Sequence, residues 1–293
     1  MKRQHRINLT PYLMLLPIMF FILIVLVYPM VAGIVTAFYS MILTRPQESG
    51  FIGFGNFAKI FLDHVVPLTI NNTLLLVFLS VSLQLLCGLT IALILNKKFR
   101  GRRFYLAVVF CPWAISMTLA GIIFRWMYHQ SLGVINDFLQ LVGVLKEPLA
   151  WLSTTETAMV ALIIVNVWKG IPFFALMILA GLQAIPESFY EVADLEGAGF
   201  FQKFFKITLP SITQIFLIAI ILRIIWTFNT VDLIFVLTNG GPMYATETVA
   251  SYIFKLAYST LDFGYASALS ILLLIFLMVF TAIYFRVSHL ERL

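Results

Sequence analysis

EVADLEGAGFFQKFFKITLP, residues 191–210, is a polar interruption in an otherwise apolar chain. With Glu187 just upstream, it places four carboxylates within ten residues, then Gly-Ala-Gly, then aromatic and basic residues, and ends on a proline. Around it, hydrophobic residues make up 61% of the 293 residues and charged residues 11%, with a mean hydropathy of +1.00. Soluble chains are about 45–50% apolar and about 25% charged. An apolar excess of this size does not fit inside one soluble core, so the composition predicts an all-α polytopic membrane protein.

Six segments are long enough to cross the hydrocarbon layer as helices, which takes roughly 20 residues each. They fall near 11–38, 70–96, 104–126, 157–184, 208–236 and 264–287. Their apolar runs are continuous rather than alternating, and a helix satisfies its own backbone in lipid. The whole chain reads as a single transmembrane domain with no internal repeat. The first run follows MKRQHR, is too long for a signal peptide's apolar region and carries no clear cleavage site, so it reads as a retained span. Cys87 and Cys111 sit inside apolar runs and read as small core hydrophobes. Of the four histidines, none falls in a span, and His5, His64, His129 and His289 are too scattered to make a metal site.

Basic residues orient the chain. With the N-terminus inside, inner segments hold Lys2, Arg3, Arg6, Lys97, Lys98, Arg100, Arg102, Arg103, Lys203, Lys206, Arg286 and Arg292. Outer segments hold Arg45, Lys59, Arg125, Lys146 and Lys255. Twelve against five predicts that both termini are cytoplasmic. Residues 191–210 then face the cytoplasm between the fourth and fifth spans.

Read as helix, the insert puts Glu187, Glu191 and Asp194 on one face and Phe189, Val192 and Leu195 on another. Gly197-Ala198-Gly199 permits a tight bend, a second short helix fits Phe200–Lys206, and Pro210 suits the first turn of the next span. A helix of this kind either lies on lipid or docks into a groove on a partner. Its four acids disfavour the anionic inner leaflet.

The order Glu191-Val192-Ala193, three residues, Gly197, nine residues, Ile207-Thr208-Leu209-Pro210 resembles the EAA loop of permease subunits in ATP-binding-cassette importers. Val192 replaces the first Ala of that pattern, and the spacing is intact. The stretches VWKGIPFFALMILAGLQAIPESFYEVADLEGAG, LTNGGPMYATETVASYIFKLAY, FGYASALS, ALILNKKFRGRRFYLAVVFCPWAIS and GFGNFAKIF are similar to the carbohydrate-type branch, the maltose and glycerol-3-phosphate permeases. The resemblance implies a six-helix core, a second homologous permease subunit, two cytoplasmic ATPase subunits and an extracytoplasmic solute-binding protein, in the plasma (inner) membrane of a prokaryote. It implies that residues 187–210 form a coupling helix seated on the ATPase, with Glu191, Ala193, Gly197, Ile207, Leu209 and Pro210 as its motif positions. No Lys in the chain is followed by Ser or Thr, so it contains no GxxxxGK[ST] loop. The expectation is a transporter subunit with no cofactor of its own, ATP and Mg being bound by the partner ATPase.

At membrane depth, Arg223, Trp226, Asn229 and Asp232 recur every third residue along the fifth span and are candidates for a sugar path. The alternative for them is contact between helices. Lys169 precedes Pro172 in the fourth span, and its expected role is to bond the carbonyls that Pro172 frees or to snorkel. Asn71, Asn72 and Asn166 read as interhelical hydrogen bonders, and Trp113, Trp126, Tyr128 and Trp151 as interface anchors. An ion-coupled secondary transporter is the rival reading. It calls for a relay of intramembrane carboxylates, and Asp232 is the only candidate. An intramembrane enzyme calls for a nucleophile and base at depth, which the spans do not offer.

Overall fold

The computed structural model describes residues 10–288. Lys2, Arg3, Arg6, Arg292, His5 and His289 lie outside the described residues. In chain order, α1 (Thr10–Ile22) passes through a π-turn (Leu23–Val27) into α2 (Tyr28–Thr36), followed by strands β1 (Tyr39–Ser40) and β2 (Gly50–Phe51) and by α3 (Gly55–Leu62). Next come α4 (Val65–Asn96), α5 (Arg102–Ala114), α6 (Met117–Met127), α7 (Val134–Leu141) and α8 (Thr155–Gln183). The chain ends with α9 (Glu187–Leu195), α10 (Phe200–Lys203), a π-turn (Phe204–Thr208), α11 (Leu209–Phe228), α12 (Asp232–Leu237), α13 (Val249–Tyr258) and α14 (Phe263–Ser288).

Among the described residues, five helical runs are long and apolar enough to cross a membrane: Leu13–Thr36, Val65–Asn96, Thr155–Gln183, Phe200–Phe228 and Phe263–Ser288. The α5–α6 pair makes a sixth if taken as one span, and it is bent by 95°. The sequence predicted one helical span over 104–126. The structure breaks it because Pro112 removes a backbone donor in the last turn of α5, and Ile115 is extended at φ −83°, ψ 139°. Ser116 then starts a new helix, its hydroxyl accepting the Leu119 N–H at 3.2 Å.

The fifth span also differs from the expected 208–236. Its helix begins at Phe200, passes through the π-turn, and carries Pro210 inside a continuous run rather than at a fresh start. It stops at Phe228 and resumes at Asp232. The side chains of Thr227, Asn229 and Thr230 bond back to the carbonyls four residues earlier, at 2.8, 2.8 and 3.3 Å. Such local bonds compete with regular helix, and they cluster at this break.

The described chain divides into two compact units. In the one formed by the N-terminal segment to residue 62 and residues 255–273, β1 and β2 pair antiparallel. There the Asn56 amide donates to the carbonyls of Ala37 and Tyr39 at 2.8 and 2.9 Å, and Phe263 N–H donates to Met41 O at 2.9 Å. In the other, formed by residues 63–254 and the C-terminal segment from residue 274, α4, α8 and α11 pack on one another. Its core joins Leu76, Phe124, Leu162, Val165, Leu233 and Ile234.

Cys87 is half-buried, and Cys111 is exposed rather than in the core. None of the side chains of α5 is buried within this chain, so the apolar surroundings expected for Cys111 are not supplied by its own subunit. Of the residues expected as interface anchors, Tyr128 is buried in the second unit and Trp151 is half-buried there. The Tyr128 hydroxyl donates to Ala161 O at 3.2 Å, and Trp151 Nε1 donates to the Asn136 side chain at 2.9 Å.

Candidate functional site

Pro186 ends the α8 path and fixes an extended backbone just before α9. Along α9, Ala193 is buried, while Phe189, Val192 and Leu195 are exposed, Leu195 at 89%. At its end, Ala198 N–H bonds Ala193 O at 2.9 Å and Gly197 N–H bonds Asp194 O at 3.1 Å. This paired pattern is a Schellman motif, and it places Gly197 at the left-handed position, φ +75°. A side chain there would strain the backbone, although a Cβ would meet nothing within 4 Å.

The acids of this segment divide into tied and free. The Glu187 carboxylate meets Lys98 Nζ at 3.1 Å, and Asp194 pairs with Lys203 across the Gly-Ala-Gly bend. The Tyr190 hydroxyl meets the buried Thr208 hydroxyl at 2.9 Å. The Gln202 side chain accepts the Gly199 N–H at 3.1 Å. Glu191 is exposed and has no partner among the described residues. Ile207 and Leu209 are half-buried, and Pro210 is exposed. The π-turn closes with Leu209 N–H on Phe204 O and widens the helix just ahead of Pro210, whose nitrogen carries no hydrogen. A cleft of about 760 Å³ opens beside this segment, lined by Lys97, Lys98, Arg102, Glu187, Tyr190 and Lys203 among others.

The four candidate path residues do not stay together. Arg223 is buried in a polar cluster between α4, α8 and α11. Its Nε donates to Gln84 Oε1 at 2.5 Å and its Nη2 to Asn166 Oδ1 at 3.1 Å. Gln84 Nε2 closes the triangle on Asn166 Oδ1 at 2.9 Å. Gly170 makes room for this cluster, since a Cβ there would lie 2.4 Å from Gln84 Oε1 and 2.5 Å from Arg223 Nη2. Trp226, Asn229 and Asp232 are exposed, but Trp226 is on α11, Asn229 caps its end at the break, and Asp232 begins α12. Trp226 stands edge-on to Phe173 of α8, with ring centroids 5.0 Å apart.

Sequence reasoning picked out Asn166 but missed Gln84 and Gly170. Gln84 has a signal, as the one amide in the apolar run 73–95 of α4, whereas Gly170 has none apart from its place beside Lys169. Asn72, expected to bond another helix, instead donates to carbonyls of the loop between α12 and α13, those of Tyr244 and Glu247, at 2.8 and 2.9 Å. Lys169 does bond carbonyls, but not those freed by Pro172. Its ammonium reaches Pro112 O at 2.9 Å, Trp113 O at 3.1 Å and Ile115 O, all at the α5–α6 break. Among the described residues no group of His, Cys, Asp or Glu is placed to hold a metal.

Residues 84–290 match the family described as "Binding-protein-dependent transport system inner membrane component". The chain belongs to this family. The permease is 38% identical to the sulfoquinovosyl glycerol transport system permease protein SmoG of Agrobacterium fabrum (strain C58 / ATCC 33970), over 96% of this chain and 90% of that one. It is 35% identical to the trehalose/maltose transport system permease protein MalF of Thermococcus litoralis (strain ATCC 51850 / DSM 5473 / JCM 8560 / NS-C), over 99% and 97%. Among solved structures, a bacterial alginate ABC transporter in complex with an alginate pentasaccharide-bound periplasmic protein superposes with a TM-score of 0.82 at 25% identity, covering 95% of the permease and 93% of that chain. The permease is thus an inner-membrane transporter subunit of an ABC importer.

Proposed function

We propose that the permease is one of two homologous membrane subunits through which an ATP-driven importer moves a sugar or sugar derivative into a prokaryotic cell, with both termini cytoplasmic. The relatives named for sulfoquinovosyl glycerol and for trehalose/maltose, and the structural neighbour that handles alginate, support the carbohydrate class. An extracytoplasmic binding protein delivers the cargo, two ATPase subunits bind and hydrolyse ATP with Mg, and a central path alternates its opening.

The observation that carries the coupling role is α9. It keeps an exposed apolar face at Phe189, Val192 and Leu195, leaves Glu191 without a partner among the described residues, and is bent sharply at Gly197. A helix whose anchoring groups are tied internally and whose apolar face is open suits docking in a groove. In this reading Glu191 accepts a donor on the ATPase, and Ala193 seats α9 on its own subunit. Gly197 sets the exit angle, and Ile207, Leu209 and Pro210 carry the motion into the fifth span. Trp226, Asn229 and Asp232 line the sugar path. Arg223, with two nitrogens engaged by Gln84 and Asn166, serves that path by holding its three helices together.

Copurification with candidate ATPase and permease partners tests the assignment. Sugar-loaded binding protein should raise ATP hydrolysis in the reconstituted complex. Uptake by this chain alone in proteoliposomes, driven by an ion gradient, would sink it.

A further inference from the structure

The two cations at membrane depth are used differently. Arg223 joins three helices through side-chain amides. Lys169 spends its ammonium on main chain. The break after α5 leaves the last carbonyls of that helix without helical donors, and two of them, on Pro112 and Trp113, converge with that of the extended Ile115 on Lys169 Nζ. An ammonium has three donors, so these three acceptors saturate it. A cation at the C-terminal end of α5 also opposes the negative end of the helix dipole. Lys169 is 8% exposed, so nothing remains of it for a passing sugar.

The other half of the broken span is fastened to the same helix. Phe124 of α6 stands edge-on to Trp168, the neighbour of Lys169, with ring centroids 5.1 Å apart. The helix that receives both halves, α8, runs to Gln183, and α9 starts at Glu187, with only residues 184–186 between them.

We propose that Lys169 is a positioning residue that makes the broken third span move with the fourth as one body, so that motion arriving at α9 reaches α5 and α6 through α8. This rests on the coupling reading of α9 given above. The physical requirement is a tie that does not slip at the one place where the third span has no continuous backbone ladder. Removing the ammonium leaves three carbonyls unpaired at membrane depth and frees the α5 end to swing about Ile115 and Ser116.

The test uses the assembled importer with Cys87→Ser and Cys111→Ser, spin-labelled at Tyr105→Cys on α5 and Val160→Cys on α8, two exposed positions. Distances are measured by pulsed electron resonance without nucleotide and after trapping with MgATP and vanadate. With Lys169 present, the distance should be the same in both states. Lys169→Met should shift it between states by roughly 2–5 Å, the scale of helix displacements in switching proteins. Lys169→Arg, which keeps the charge and the donors, should restore the invariant distance. A state-dependent distance with Lys169 intact overturns the proposal, and so does a Lys169→Met complex that behaves like the parent. If Lys169→Met, Lys169→Gln and Lys169→Arg all fail to assemble, Lys169 acts in folding alone and the proposal is wrong. The coupling reading fails separately, if variants at Gly197 transport normally, and that result leaves the distance measurement standing.

Discussion

Replacing Gly197 with alanine isolates backbone conformation from packing. The residue sits at φ +75°, and a Cβ there meets no heavy atom within 4 Å, so the subunit has no steric objection to the methyl group itself. The cost is that of the left-handed region for an L-residue, about 1–2 kcal/mol. That lowers the population of the bent α9–α10 geometry, relative to any unwound alternative, by a factor of about 5–30. The two bonds at risk are Ala198 N–H to Ala193 O and Gly197 N–H to Asp194 O. The Asp194–Lys203 pair that spans the bend is exposed on its acidic side and offsets little. Gly197→Ala should therefore insert and express normally, while its affinity for the ATPase subunits, measured by titration in nanodiscs, falls by about 5–30-fold. Gly197→Asn should recover part of that loss, because asparagine tolerates the left-handed region. Unchanged affinity in Gly197→Ala would refute the conformational argument. Equal losses in the alanine and asparagine variants would show that the ATPase packs against the glycine directly.

Three further substitutions probe the other elements. Gly170→Ala drives a Cβ to 2.2 Å from Gln84 Cδ, and overpacking of this kind costs about 1–3 kcal/mol. The purified complex should melt several degrees lower, and a melting temperature equal to the parent's would contradict the tight α4–α8 approach. Glu191→Gln removes a charge from the hydrogen bond proposed to the ATPase, a loss of about 1 kcal/mol. ATPase affinity should drop roughly fivefold with no change in subunit stability, and an unaltered dissociation constant would remove Glu191 from the interface. Trp226→Ala takes away the indole beside Phe173 and with it the face proposed to stack a sugar ring. Uptake should fall while binding-protein-stimulated ATP hydrolysis persists, and full uptake would exclude Trp226 from the path.

The all-helical membrane character was legible because hydropathy is a bulk property that tertiary packing does not erase. The bend at Gly197 was legible because a glycine after an amphipathic turn is a local signal. The two broken spans were not. Pro112 and Pro172 each lie inside a predicted span, yet α8 continues through Pro172 while α5 ends soon after Pro112. What separates them is nonlocal, because the carbonyls at the α5 end have Lys169 to receive them. The three-residue recurrence of Arg223, Trp226, Asn229 and Asp232 failed as a guide for a related reason. It assumed a continuous helix, and the side chains of Thr227, Asn229 and Thr230 bond where that helix stops.

Asn166, Lys169 and Gly170 all fall within five consecutive residues of α8, and each serves a neighbouring helix. Asn166 joins α4 and α11 through Gln84 and Arg223, Gly170 lets those side chains approach, and Lys169 holds α5. Apolar packing in lipid has little hydrophobic drive to hold helices in one register, so polar ties and small residues set it. Concentrating them on the helix that leads into α9 means that the element adjoining the proposed motor contact is also the one to which three other helices are fixed. A lever built this way can transmit displacement without each helix needing its own contact with an ATPase. Changes at residues 166–170 should then impair coupling more than substitutions of similar size elsewhere on α8.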